Sequence, residues 1–117
     1  MLIRRCLLIA ALLASFTAYA DFRDSVKWPG YRFVVEHTVH VRQEQWGTGI
    51  GRVLVEALLE RALAAGKRVV VAAVDGENDA SIRFHERLGF VRVAHLPGIG
   101  FKLDRWPDLV LLQRSLD

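Results

Sequence analysis

The sequence predicts an α/β domain on three observations. An alternating apolar run occupies residues 31–41, a long 3.6-residue period follows three closely spaced glycines at 50–65, and a near-continuous apolar run fills 67–74. Strand and helix periods that follow one another in this way indicate mixed α/β layers rather than a helical bundle or a sandwich. A chain of 117 residues holds one domain with a single core. Its 52% hydrophobic and 25% charged composition is that of a globular chain, not a disordered one.

The first element is ambiguous. "MLIRRCLLIAALLASFTAYAD" starts basic with Arg4 and Arg5, runs apolar over residues 6–16 and reaches Ala18-Tyr19-Ala20, the small-x-small pattern of a cleaved secretory signal. It is short for a spanning helix, which needs about 20 apolar residues. Taken alone it reads as an export signal, with a buried strand or helix as the competing reading.

The later elements follow in order. "YRFVVEHTVHV" (31–41) alternates, is rich in β-branched and aromatic residues, and follows a Trp28-Pro29-Gly30 turn, so it predicts a strand. Over 50–65, Val53, Leu54, Ala57, Leu58, Leu63 and Ala64 fall near a helical period and Gly66 supplies the stop. "KRVVVAAV" reads as a strand buried on both faces. Asn78 or Asp79 caps a second helix that runs to Leu88 and ends at Gly89, before the strand "FVRVAHL". "DLVLLQRSL" is the last strand. The chain has no repeat, low-complexity stretch or internal linker.

Charge and cysteine usage narrow the partners. The net charge of +3 is spread without a Lys/Arg block, which excludes a nucleic-acid arm. The single Cys6 excludes an internal disulfide and a cysteine-based zinc site, and the four histidines lack ligand-like spacing, so no metal is expected. What the glycines do is more informative. Gly47, Gly49 and Gly51 stand at a helix start, where a bare backbone, unpaired N–H groups and the positive dipole end suit an anion. The competing reading is an ordinary turn before a helix. Glu36 interrupts an apolar strand, where a charge is costly unless it is paired or used; the alternative is an outward-facing residue of an alternating strand.

Four blocks carry a resemblance: "VEHTVHV", "WGTGIGRVLVEALLERALAAG", "VVAAVDGENDASIRFHERLGFVRV" and "GIGFKLDRWPDLVLLQ". In this order and spacing, over about residues 19–116, they resemble the GCN5-related N-acetyltransferase (GNAT) superfamily, within it the phosphinothricin and L-amino-acid N-acetyltransferase group. The resemblance implies a mixed, mostly antiparallel sheet flanked by helices, with acetyl-CoA as co-substrate and no metal. It also implies transfer to the primary amine of a small amino-acid-like acceptor, with no nucleic-acid or membrane partner.

Residue by residue, the resemblance makes Trp46-Gly47-Thr48-Gly49-Ile50-Gly51 the pyrophosphate loop, with Trp46 standing where relatives have Arg or Gln. Arg52 either adds charge to a phosphate or belongs to a solvated helix face. Glu36 takes the place of the family's general base, and Val39 and Val41 lie on the cofactor side of the same strand. His37 points to the opposite face from Glu36. His85 falls where relatives keep a group beside the thiol, which implies that it acts as acid to the leaving thiolate. Asn78 and Ser81 match positions on the pantetheine side, with helix capping as their alternative role. Lys102 and Arg105 are implied as a clamp for an acidic acceptor, in a loop where Leu103-Asp104 replaces the family's Phe-Gly.

"ASFTAYADFRD" resembles the family's third strand, so residues 1–20 are expected to stay as part of the fold and 21–117 to form the acetyl-CoA-binding core. On this reading the whole of 1–117 is one partial domain that lacks the family's N-terminal strand and two helices. A cytoplasmic location follows from the co-substrate. Uncovered apolar surface predicts self-association as a homo-oligomer. The alternative function is a truncated, non-catalytic remnant that binds CoA or a partner without turnover.

Overall fold

A computed structural model describes residues 7–11, 18–24 and 29–117. Within them the chain forms β1 (Leu7–Ala11), β2 (Ala18–Asp24), β3 (Val34–Val41), α1 (Ile50–Ala64), β4 (Val69–Asp75), α2 (Asp79–Arg87), β5 (Val91–Leu96) and β6 (Leu109–Ser115). The six strands make one sheet in the order β1-β2-β3-β4-β6-β5. Every neighbouring pair is antiparallel except β3–β4, which is the mixed, mostly antiparallel sheet the resemblance implied. Of the signal-like stretch, residues 1–6 and 12–17 lie outside the described residues. The part resembling a family strand is β2, paired with β3 from Ala18↔Val41 to Asp24↔Val35.

Two predicted elements shift. The strand expected from residue 31 starts at Val34, because Pro29–Tyr31 continues the turn as a 3-10 helix. The Phe33 carbonyl then accepts from both Arg68 N (2.8 Å) and Val69 N (3.2 Å), which fixes where β3 and β4 begin to pair. The buried stripe of α1 is Leu54, Val55, Leu58, Leu59 and Ala62, not the set predicted from its period. Val53 is 65% exposed and Leu63 54% exposed. The helix is apolar on nearly every side, so its own pattern leaves the phase open and the sheet beneath decides it.

The helix ends are set locally. Asn78 Oδ1 accepts from Ser81 N (3.1 Å) and caps α2. Both helices stop on a left-handed glycine, Gly66 after α1 and Gly89 after α2, with the paired 6→1 and 5→2 bonds that satisfy the last carbonyls. The buried strand residues, among them Val35, Val70, Ala72, Val110 and Leu112, share one face with the buried side chains of both helices. On the other face Glu36 is half-buried and Thr38 and His40 are exposed.

The feature that positions a site is the divergence of β3 and β4. They pair in parallel only from Val34↔Val69 to His37↔Ala72. Beyond that point β3 stays paired with β2 to Val41, and β4 with β6 to Asp75. The two central strands therefore splay into a wedge whose facing backbone edges are unpaired among the described residues.

Candidate active site

The wedge holds a cleft of about 200 Å³. Both faces of β3 contribute to its walls through Glu36, Thr38 and Val39, and Asp75, Asn78 and Ser81 close the other side. At the far end of β3 the chain turns through a 3-10 segment (Gln43–Gln45) into the glycine loop and α1. Glu36, Val39, Asn78, Ser81 and His85, which span 50 residues of sequence, thus line one cleft.

The glycine loop fits an anion. Gly47 (φ 78°) and Gly49 (φ 89°) are left-handed, and a Cβ built on either would meet no atom within 4 Å. The space beside the main chain is therefore open, and side chains would be strained there. Gly49 is the N-cap of α1, and the first intrahelical bond is Val53 N to Gly49 O (3.1 Å). The N–H groups of Ile50, Gly51 and Arg52 precede it, at the positive end of the dipole. Gly51 is needed for a different reason: a Cβ there would stand 3.3 Å from the Phe84 ring, where α1 meets α2.

Trp46 and Arg52 are placed with partners of their own. Trp46 Nε1 donates to the Val41 carbonyl at 2.8 Å, and the ring is otherwise 67% exposed. The residue that replaces the family's Arg or Gln thus ties the loop to the end of β3, and occupies the Val41 carbonyl while doing so. Thr48 Oγ1 donates to Gln45 O (2.6 Å), tightening the same turn. Arg52 Nε pairs with Glu56 Oε1 (2.9 Å) on an exposed helix face, an interaction worth little in itself.

The structure places His85 in the wall of the cleft with partners on both ring nitrogens. Its ring is buried, with Nδ1 2.7 Å from the Ser81 carbonyl. A carbonyl only accepts, so the hydrogen-bond network assigns the N–H of His85 to Nδ1 and its lone pair to Nε2. That lone pair lies 3.0 Å from His37 Nε2, which must donate the proton. His37 Nδ1 is then a buried acceptor without a partner among the described residues. Burial lowers the pKa of His37 to about 3, and His85 beside it adds to the fall. Burial also lowers that of His85, against an opposing pull from the Ser81 carbonyl. Both ring nitrogens of His85 thus have partners within the fold.

Lys102 and Arg105 also have other partners than expected. Lys102 Nζ lies 3.1 Å from Asp75 Oδ2 and Arg105 Nη2 3.2 Å from the same oxygen, while Arg105 Nη1 reaches Glu77 Oε2 at 2.7 Å. The residues between them form a two-residue hairpin turn: Lys102 and Arg105 exchange both backbone bonds at 3.0 Å, and Leu103 (φ 51°) and Asp104 (φ 57°) are both left-handed. That geometry puts the two basic side chains on one side, over Asp75. Asp108, next to this arm, accepts from His95 (2.7 Å) and from Gly98 N (2.8 Å).

Sequence reasoning missed His37 and Asp75. His37 placed a polar ring among Val35, Val39 and Val41 on the strand face that packs under the helices, and that mismatch was its signal. Nothing in the sequence pointed to its partner 48 residues away. Among the described residues no group of three or more His, Cys, Asp or Glu is placed to hold a metal ion, and no helix is long and apolar enough to cross a membrane.

A mixed sheet that splays between β3 and β4, with an open glycine loop at the adjoining helix start, defines an α/β class of fold. More particularly, the chain belongs to the acetyltransferase (GNAT) family, which matches residues 8–90. It is 44% identical over 101 residues to an L-methionine sulfoximine/L-methionine sulfone acetyltransferase of Salmonella typhimurium, covering 86% of this chain and 59% of that protein. It is 43% identical to an L-amino acid N-acyltransferase of Escherichia coli with the same coverage. Among solved structures, a GNAT superfamily phosphinothricin acetyltransferase from Sinorhizobium meliloti in complex with AcCoA superposes with a TM-score of 0.85 at 33% identity, over 92% of this chain and 60% of that one. The chain thus spans about 59% of the length of the curated relatives it matches.

Proposed function

We propose that the chain binds acetyl-CoA across the glycine loop and the β3–β4 wedge and acetylates the primary amine of a small amino-acid-like acceptor. The observation that carries this reading is the open, left-handed backbone of Gly47 and Gly49 at the start of α1, in the connection that leaves the diverging end of β3. The names of the similar proteins support the acceptor class.

In this reading Gly47, Gly49, Ile50 and Gly51 hold the diphosphate through main-chain N–H groups, and the free edge of β3 at Val39 with Asn78 and Ser81 holds the narrow arm. The bound co-substrate supplies an activated acetyl thioester. Glu36, half-buried beside the cleft, takes a proton from the acceptor ammonium, whose pKa of about 10 otherwise leaves no lone pair. The neutral amine then attacks the carbonyl carbon; the C–N bond forms as the C–S bond breaks, CoA leaves as its thiolate, and the proton that the nitrogen sheds on becoming an amide passes through solvent to that thiolate. Glu36→Gln keeps the shape and removes the acceptor, so turnover falls by about 10²–10⁴-fold with CoA affinity unchanged. Free thiol is followed with acetyl-CoA and a panel of amino acids, methionine sulfone and phosphinothricin. Absence of acetyl-CoA binding by calorimetry overturns the reading.

A second reading, CoA binding without turnover, is favoured by one observation: the sheet face that carries Glu36 leaves Thr38 and His40 exposed. The thiol assay separates the two, since binding with no release at any acceptor supports the second. Self-association is part of the proposal as well. Ile99, Phe101, Leu103 and Trp106, each more than half exposed, form apolar surface of the kind that pairs, and gel filtration reads the outcome.

A further inference from the structure

Two imidazoles lie in a helix-facing layer that is otherwise apolar. His37 follows Val35 on the buried face of β3, and His85 follows Ile82 on the buried stripe of α2. Burying polar rings costs free energy unless they are bonded, and this pair still leaves His37 Nδ1 without a partner among the described residues. Core packing alone would be served better by an apolar side chain.

We propose that His37 is a positioning residue: its Nε2–H bond fixes His85 as a neutral Nδ1–H imidazole withheld from acid–base service, so that proton transfer in the cleft runs through Glu36 on the opposite face of β3. The inference rests on the transferase reading for its functional part. The ring of His85 is held at four places. Ser81 O takes Nδ1–H, His37 supplies a donor to Nε2, and Phe84 and Phe90 stand edge-on to it, each with centroids 5.2 Å away.

To serve as an acid, His85 would either become an imidazolate or first gain a proton at Nε2. His37 N–H already points there. A second N–H at that position needs His37 to move its proton to Nδ1, which reverses the bond between the rings and buries an N–H with no acceptor among the described residues, while the imidazolate gives up the bond to Ser81 O.

The charged groups around the pair offer no compensation. Glu36 of β3 and Asp75 of β4 line the same cleft, and Asp75 is already paired with Lys102 and Arg105. On α2, Asp79, Arg83, Glu86 and Arg87 are exposed, as is Arg92 of β5. Arg114 of β6 donates to the Leu88 carbonyl, and Arg52 of α1 is paired with Glu56.

The test is long-range ¹⁵N NMR of the full chain with labelled histidine, from about pH 8 to pH 5, alongside the pH profile of acetyl transfer. The expected result is a neutral His85 with its proton on Nδ1 throughout, and a neutral His37 with its proton on Nε2. An Nε2–H tautomer at His85, or a His85 midpoint near its ordinary value of about 6.5, overturns the proposal. His37→Ser is too short to reach His85 Nε2 and admits water, so His85 should begin to titrate and kcat/KM should gain an acid limb, whereas His37→Gln, which keeps an N–H donor, should match the unaltered chain. Superimposable profiles and spectra for His37→Ser and the unaltered chain also overturn it. If no chain transfers acetyl, the proposed function fails while the spectra still decide the role of His37; if His37→Ser does not fold, the spectra of the unaltered chain decide.

Discussion

The backbone turns left-handed in two loops, before α1 and between β5 and β6, and the two are built in opposite ways. At the start of α1 the residues are glycines with empty space beside them. At the tip of the β5–β6 arm they are Leu103 and Asp104, with Leu103 87% exposed. Bare main chain is needed where something must touch the N–H groups. At the arm the main chain bonds only to itself, so side chains are tolerated there at the cost of strain, and ion pairs to Asp75 and Glu77 hold the turn closed.

The buried face of β3 and the arm also differ in how they answer acid, and this is the largest expected effect. His37, midway along β3, has its pKa lowered from 6.5 to about 3. The unfolded chain therefore binds the proton first, and the stability this group contributes is complete above pH 6.5 and lost as pH falls from there toward 3. At about 1.4 kcal/mol per pKa unit, about 2 kcal/mol is gone by pH 5. Asp75 and Asp108, at the arm, are lowered from 3.8, by a backbone N–H and Lys102 in the first case and by His95 and a backbone N–H in the second. Their contribution is complete above 3.8 and lost only below it. Urea unfolding at pH 7, 5 and 4 should thus show a slope that His37→Leu flattens and Asp108→Asn leaves in place. A slope unchanged in His37→Leu would move the acid-sensitive group elsewhere.

Next in size is the glycine end itself. Gly49→Val forces a β-branched residue to φ 89° and fills the space beside the N–H groups. Acetyl-CoA affinity should fall about 30-fold, or about 2 kcal/mol. The matched change at the arm, Asp104→Val, should cost stability and leave that affinity alone. Calorimetry on both variants breaks the comparison if they weaken binding equally.

How much of this was legible in the sequence follows the range of each interaction. The glycine loop, the cap at Asn78 and the two glycine stops are local, and each was read from a few neighbouring residues. The phase of α1 was not, because Val53 and Leu63 are as apolar as Leu54 and Leu58 and only the sheet distinguishes them. Lys102 and Arg105 were visible as basic residues, but their partner Asp75 lies 30 residues before Arg105. His85 was found by resemblance, yet its state depends on His37, and a tautomer is decided by whichever group the fold brings to the other nitrogen.

A smaller effect tests the arm as a latch. Asp75→Asn removes the charge that Lys102 and Arg105 share, so the Lys102 and Arg105 amides should exchange with solvent faster while acetyl-CoA affinity stays the same. If the mutation instead lowers KM for carboxylate-bearing acceptors without speeding exchange, the two cations are a substrate clamp that Asp75 restrains.

The smallest effect runs the other way and concerns the turn alone. Leu103 and Asp104 occupy the two central positions of a primed hairpin turn, where Asn-Gly is the favoured pair because both residues have φ > 0. A leucine in that region carries a steric penalty of roughly 1 kcal/mol, since its Cβ crowds the neighbouring carbonyl. Asparagine bears the conformation more easily, and glycine at 104 does so without strain, though glycine also frees the unfolded chain and returns part of the gain. The double variant Leu103→Asn with Asp104→Gly should therefore stabilise the fold by about 1 kcal/mol, and urea unfolding at pH 7 should show a raised midpoint with an unchanged slope. The side chains of Lys102 and Arg105 keep their places in that variant, so the ion pairs to Asp75 persist. A loss of stability would mean that Leu103 has a packing partner which its 87% exposure does not reveal, such as a second copy of the chain. Gel filtration of the variant then separates that case, because removing the leucine would also shift the chain toward monomer.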